Sequence, residues 1–345
     1  MRPAQDRQEA TAHALLTALA TMICLVLAEW FDLEYANLAV WTTYLVMAQY
    51  TFTSFQKGLE RVVGRALGIL AGLVLTTWFN DTPLLTLALI GALLTTFFYI
   101  YFAGWLAYTF LQAGLYLVVM FQFGHANPAS AVSAAEGLFA AVVLGVVIAD
   151  MVSWFSGAER DLDIQLGKVP LFPLRANWLN QSLMLAVTAL LTLLGAHVLG
   201  LPPQAAAISV MVLTVTPHVQ AMILKGELRL AGAFLATVWA LGTFLVVGLV
   251  PHLALLAVLL FLGQFVAAYL TRTAGKYDYV GLQMGLVLPM LVVAPLVEFG
   301  SLSPAGQRVE GILLGMLTSV VVASVWPRFP IADEVAPVAR GEQEA

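Results

Sequence analysis

Apolar runs of bilayer length follow one another along nearly the whole chain, and no water-soluble architecture buries that many. A helix needs about 20 predominantly apolar residues to cross the hydrocarbon layer. Twelve segments approach that length, with boundaries good to a few residues: 13–31, 35–53, 61–79, 83–102, 105–123 and 132–155, then 178–199, 204–223, 228–249, 251–270, 279–297 and 308–326. Charged residues are only 10% of the 345 and apolar residues 61%, against about 25% charged in soluble domains. Backbone groups in lipid must be satisfied within the segment, which favours helices over open strands. The expected fold is therefore an all-α integral membrane protein with about 12 transmembrane helices.

The polar segments divide the chain. Residues 1–12, with Arg2, Asp6, Arg7 and Glu9, form a polar N-terminal segment. The run from Ala14 to Phe31 ends in Ala-Glu-Trp-Phe rather than a small-residue cleavage site, so it reads as a retained first helix. Residues 13–155 hold six spans, 156–177 a charged linker with Pro170 and Pro173, 178–327 six more spans, and 328–345 a polar tail. Placing the N-terminus in the cytoplasm leaves Arg308 as the single outside residue among the 15 lysines and arginines. Asp32, Glu34, Asp81 and Glu298 occupy the opposite loops. This bias fixes the orientation, with both termini cytoplasmic.

The two sets of six are copies. Lys57-Gly58-x-x-Arg61-x-x-Gly64-x-x-x-Gly68 recurs as Lys225-Gly226-x-x-Arg229-x-x-Gly232-x-x-x-Ala236. Tyr108-x-x-Leu111-Gln112-x-Gly114-Leu115 recurs as Tyr279-x-x-Leu282-Gln283-x-Gly285-Leu286. Leucine and glycine matches come cheaply in such a composition; lysine, arginine, glutamine and tyrosine matches do not. Six spans is an even number, so the repeats are parallel, related by an axis along the membrane normal.

Lys57, Arg61 and Arg65 share one helix face at spacings of four. One reading has them snorkel to lipid phosphate and set topology. The other makes them, with Lys225 and Arg229, a cationic vestibule that binds anions, a task suited to the planar arginine fork. Ala233 replaces Arg65 in the second copy. Gln112 and Gln283 lie deep in spans 5 and 11, where they bond between helices or contact a substrate. Gly64, Gly68 and Gly72, like Gly232, Ala236 and Ala240, form small-residue stripes for close helix packing. Asp150, His218 and Glu310 are candidates for proton exchange; Asp150 alternatively pairs with an arginine such as Arg61 or Arg65, and Glu310 alternatively reaches water. Pro217 and Pro289 bend their spans.

Several chemistries are excluded. No Walker motif, His-Glu-x-x-His or Gly-x-Ser-x-Gly occurs, and the single cysteine, Cys24, lies inside the first span. No catalytic residue, metal or cofactor is expected, nor any contact with nucleic acid, and the chain does not read as an enzyme.

The doubled Lys-Gly-x-x-Arg-x-x-Gly block resembles the fusaric acid resistance and aromatic acid exporter superfamily. So does the segment Arg308-Val309-Glu310-Gly311-Ile312-Leu313-Leu314-Gly315 leading to Trp326-Pro327. Arg65 and Ala233 stand where the family commonly has threonine, and no large cytoplasmic domain fits within the linker. The plant aluminium-activated malate transporters look like distant relatives, with six helices per chain paired around an arginine-lined path; this chain resembles a fused pair. The resemblance implies efflux of aromatic or other organic carboxylic acids across a bacterial inner membrane, and the expected driving force is the proton gradient. The resemblance also implies a periplasmic adaptor of the membrane-fusion type. A passive anion channel, or a non-transporting membrane subunit of an adaptor assembly, is the alternative. The expected partners are the organic anion and membrane lipids, with a homo-oligomer left open.

Overall fold

Helix is the conformation that these apolar runs adopt. The computed structural model describes residues 2–48, 54–79, 81–126, 128–156, 174–201, 206, 208–210, 219–293 and 303–326. Among them the elements of the first repeat are α1 (Arg2–Trp30), α2 (Ala36–Ala48), α3 (Ser54–Trp78), α4 (Pro83–Phe102), α5 (Ala107–Ala126) and α6 (Ala131–Phe155). Those of the second are α7 (Ala176–Val198), α8 (Val219–Leu249), α9 (Leu253–Thr273), α10 (Asp278–Val292) and α11 (Ser303–Val325). Short 3₁₀ turns precede α6 and α10. No strand occurs among the described residues. By length and composition, six of these helices can each cross a membrane: α1, α4, α6, α7, α8 and α9. Shorter apolar stretches lie in α2, α5 and α11. The protein is an all-α integral membrane protein.

Two sequence boundaries need correction. Span 3 was expected from residue 61, but α3 begins at Ser54. Spans 8 and 9 were expected to part between 223 and 228, yet α8 runs unbroken from Val219 to Leu249. The charged stretches that looked like loops carry no proline, and Lys, Glu and Arg are good helix formers. Polar residues there mark a helix entering the membrane rather than a break. Most of span 8, including Pro217 and His218, lies outside the described residues. So do most of the 156–177 linker, the 328–345 tail, Pro295, and the side chains of Lys57 and Arg308. Pro289 sits inside α10.

The repeat is visible in the packing. A Cβ placed on Gly64 of α3 would meet the Thr109 carbonyl and lie 2.9 Å from the Gln112 Cβ on α5. One placed on Gly232 of α8 would lie 2.5 Å from the Gln283 Cβ and 2.6 Å from the Val280 carbonyl oxygen on α10. Likewise, Gly145 of α6 abuts Ala39 and Thr42 of α2, and Gly315 of α11 abuts Ala206 and Ser209. Small residues therefore let backbones touch at equivalent places in both copies, as expected where van der Waals packing drives helix association in lipid.

The repeats interlock instead of standing side by side. α1 packs along α9 and α4 along α7, two pairs that the duplication relates. One apolar core joins α1, α2 and α6 to α8, α9 and α10, through residues such as Leu25, Tyr44, Val142, Ala236, Leu260 and Leu288. The other joins α3, α4 and α5 to α7 and Val210, through Ile69, Phe98, Leu117 and Leu185. Each core thus draws on both repeats. Tyr44 pins the crossing: its ring fills the space beside Gly285, and its hydroxyl donates to the Gly281 carbonyl at 3.2 Å and lies 3.3 Å from Thr271 Oγ1. Tyr44→Phe is expected to cost about 0.6–1.7 kcal/mol, the range of hydrogen bonds between membrane helices. Thermal unfolding in detergent measures it, and an unchanged midpoint would mean that ring volume alone holds the crossing.

Candidate functional site

The α3 face that carries Arg61 and Arg65 turns inward. Arg61 and Arg65 are each 0% exposed and Arg229 is 2% exposed. The snorkelling reading is therefore wrong for these three. At 1.5 Å per residue, Arg65 lies about 17 Å along α3 from its start, near its middle. The cause is local: Gly64 and Gly68 bring α3 against α5 so closely that neighbouring side chains on that face cannot reach lipid.

Aromatic rings cage the two guanidinium groups. The Arg61 Cζ lies 5.5 Å from the Trp41 ring centroid and 5.4 Å from that of Tyr108. The Arg65 Cζ lies 5.0 Å from Trp41 and 4.4 Å from Tyr116. Such contacts contribute about 0.5–2 kcal/mol each when desolvated. Arg65 Nη1 donates to Thr42 Oγ1 at 2.8 Å, and its Nε donates to Gln112 Oε1 at 3.3 Å. Arg61 Nη1 donates to the Thr42 carbonyl at 3.4 Å, a long bond. These partners are neutral. Arg61 Nε, Arg61 Nη2, Arg65 Nη2 and the Trp41 Nε1 are buried with no hydrogen-bond partner. Taking a guanidinium out of water costs several kcal/mol unless charge and hydrogen bonds compensate, and here compensation is partial. A buried cation left in that state is a candidate functional position.

The second repeat builds a thinner version. Arg229 is buried beside Tyr279, the counterpart of Tyr108. Lys225 Nζ lies 5.5 Å from the Tyr279 ring centroid. Gln283 is buried as Gln112 is, but its Oε1 has no partner, because Ala233 supplies no N–H where Arg65 would. Gln112 therefore follows the interhelical bonding reading, in support of Arg65.

The proton-exchange candidates scatter. Asp150 is half-buried on α6, where a Cβ on Gly58 would lie 3.4 Å from its Oδ2, so it stands one turn before Arg61 along α3. Glu310 is exposed. Trp41, Thr42 and Tyr116 were not singled out from sequence. An aromatic or a threonine inside an apolar span reads as core, and only the Tyr108–Tyr279 match offered a signal. A separate crevice of about 490 Å³ lies among α8, α9 and α10, lined by Leu235, Val238, Trp239, Leu259 and Met284. Its walls suit hydrocarbon rather than an anion.

Fold and site together define a multi-pass membrane protein, duplicated within one chain, with an incompletely compensated cation pair buried in the first copy. Residues 23–152 match the model of the family described as fusaric acid resistance protein-like. That stretch holds every residue of the arginine cage, so the resemblance read from the Lys-Gly-x-x-Arg-x-x-Gly block is borne out there. No curated protein and no solved structure matches the chain.

Proposed function

We propose that the chain is a secondary efflux permease for aromatic or other organic carboxylic acids in a bacterial inner membrane, coupled to protons and working with a periplasmic adaptor. The observation that carries the reading is the buried Arg61–Arg65 pair, whose hydrogen bonds go to Thr42 and Gln112, with Tyr108 also beside Arg61, and which leaves Arg61 Nε, Arg61 Nη2 and Arg65 Nη2 without a bonded acceptor. A transported carboxylate supplies both the missing charge and the missing acceptors. Lys57 and Lys225, within the first two turns of α3 and α8, gather anions from the cytoplasm. Arg61, Arg65 and Arg229 draw them inward, and Gln283 stands in the path. Asp150, beside the entry of α3, is the described carboxylate best placed to exchange a proton. The interlocked cores also favour a fused pair of six-helix units over two independent ones.

Efflux of radiolabelled 4-hydroxybenzoate from proteoliposomes tests this. The Arg61→Ala plus Arg229→Ala variant is expected to transport about 100-fold less or lower, since each hydrogen bond to a charged group is worth roughly 1.5–3 kcal/mol. Equal transport by variant and wild type would remove these arginines from the path. Currents that reverse at the anion equilibrium potential and ignore the pH gradient would replace the permease with a channel.

A further inference from the structure

The two repeats offer unequal seats to an anion. Gly145 faces Ala39 and Thr42 as Gly315 faces Ala206 and Ser209. That register puts Ile208 where the first repeat has Trp41. The α3–α8 register puts Ala233 at Arg65, and the α5–α10 register puts Val287 at Tyr116. The second repeat therefore lacks one guanidinium, the indole N–H and one ring.

The hydrogen-bond inventory differs in kind as well. On Arg61, Nη1 is engaged by Thr42, while Nε and Nη2 have no partner. Those two nitrogens form one edge of the guanidinium, with parallel N–H bonds that match the two oxygens of a carboxylate. Arg65 Nη2 and Trp41 Nε1 add two more unpaired donors in the same cluster. Every one of the four is a donor. Around Arg229 the unpaired groups are its Nε and the Tyr279 hydroxyl, and one turn further along α10 stands Gln283 Oε1, an acceptor whose lone pairs repel an oxyanion.

We infer that the chain binds one oxyanion per polypeptide, across the Nε–Nη2 edge of Arg61 with Arg65 Nη2 and Trp41 Nε1 as further donors, and that the equivalent place around Arg229 holds none. The inference rests on the organic-anion reading and names its seat. Arg65 is fixed by Gln112 and Thr42, so it adds charge in a set position, while Arg61 provides the fork. Arg229 then serves passage rather than residence.

Isothermal titration of the purified full chain in detergent, with benzoate as the probe and benzamide as its neutral counterpart, tests the assignment. One benzoate per chain is expected, with no saturable binding of benzamide. Arg61→Lys keeps the charge but loses the fork, and is expected to weaken benzoate at least tenfold. Trp41→Phe, which keeps a ring and loses the N–H, is expected to weaken it about threefold. Arg229→Lys is expected to change it by less than threefold. Two benzoates per chain, equal losses from Arg61→Lys and Arg229→Lys, or no saturable benzoate binding would each overturn the assignment. Stoichiometry is read on the wild type, so it does not depend on any variant folding. Wild type that binds one benzoate yet moves none across proteoliposomes would overturn the transport reading and leave the seat standing. Wild type that transports while binding two would do the reverse.

Discussion

Replacing Arg61 and Arg65 together by methionine is expected to leave the folded protein within about 2 kcal/mol of wild type in anion-free buffer, or to make it more stable. Both side chains are fully buried, and each guanidinium bears a desolvation cost of several kcal/mol. Two like charges four residues apart on one helix also repel. Against this stand three hydrogen bonds and four ring contacts, one of the bonds at the limit of useful length. Buried charges replaced by apolar groups of similar volume are often neutral or stabilising by about 1–4 kcal/mol. Methionine is long and adaptable enough to fill the space. The anion response separates the proteins. Wild type is expected to gain about 2.7 kcal/mol of stability at a benzoate concentration one hundred times its dissociation constant, and the double variant nothing. Thermal unfolding with and without benzoate measures both effects. A loss above about 4 kcal/mol without anion would make the arginines structural supports, and the functional reading of their burial would fail.

Valine at Gly64 is expected to have the largest effect on folding of any single substitution named here. Its Cβ would collide with the backbone carbonyl of Thr109, which cannot move without shifting α5, and α5 carries Tyr108, Gln112 and Tyr116. Overpacking typically costs about 1–3 kcal/mol, and a backbone collision at the closest helix pair stands at or above the top of that range. Gly232→Val should act alike, since Gln283 and Val280 occupy the equivalent positions. Gly242→Val supplies the contrast on the same α8 helix, because nothing lies within 4 Å of its Cβ position. Yield of monodisperse protein and the unfolding midpoint rank the three. Similar behaviour of Gly232→Val and Gly242→Val would contradict the close approach of α8 to α10.

Helices and the duplication were legible in the sequence because each leaves a one-dimensional trace. Apolar length announces a span, and a repeated Lys, Arg or Gln in register announces a copy. The small-residue stripes even identified the faces of α3 and α8 that touch a neighbour. What the sequence withheld was which neighbour. Trp41 and Thr42 sit in an apolar run that is buried nearly all round, so nothing in the sequence says that they look at α3. Burial of Arg61 was hidden for the same reason, since an arginine near the start of a span can snorkel or turn inward, and the choice is made by Gly64 and Gly68 against α5. The start of α3 was misplaced because charge was read as loop. The interlocking of the repeats left no local trace at all, since α1–α9 and α4–α7 contacts join segments far apart in the chain.

That interlocking constrains how the protein is made. α2 ends at residue 48 and its partner α10 at residue 292, so one core stays open until most of the polypeptide has left the ribosome. At roughly 5–20 residues per second the wait is about 12 to 50 s. Through that interval α1, α2 and α6 sit in the bilayer with half a core between them and an arginine pair already inserted next door. The nascent chain must therefore be held by lipid or by the insertion machinery until the late helices arrive. A ribosome stalled after α6 would leave an intermediate with the whole cationic cage but only half of each supporting wall.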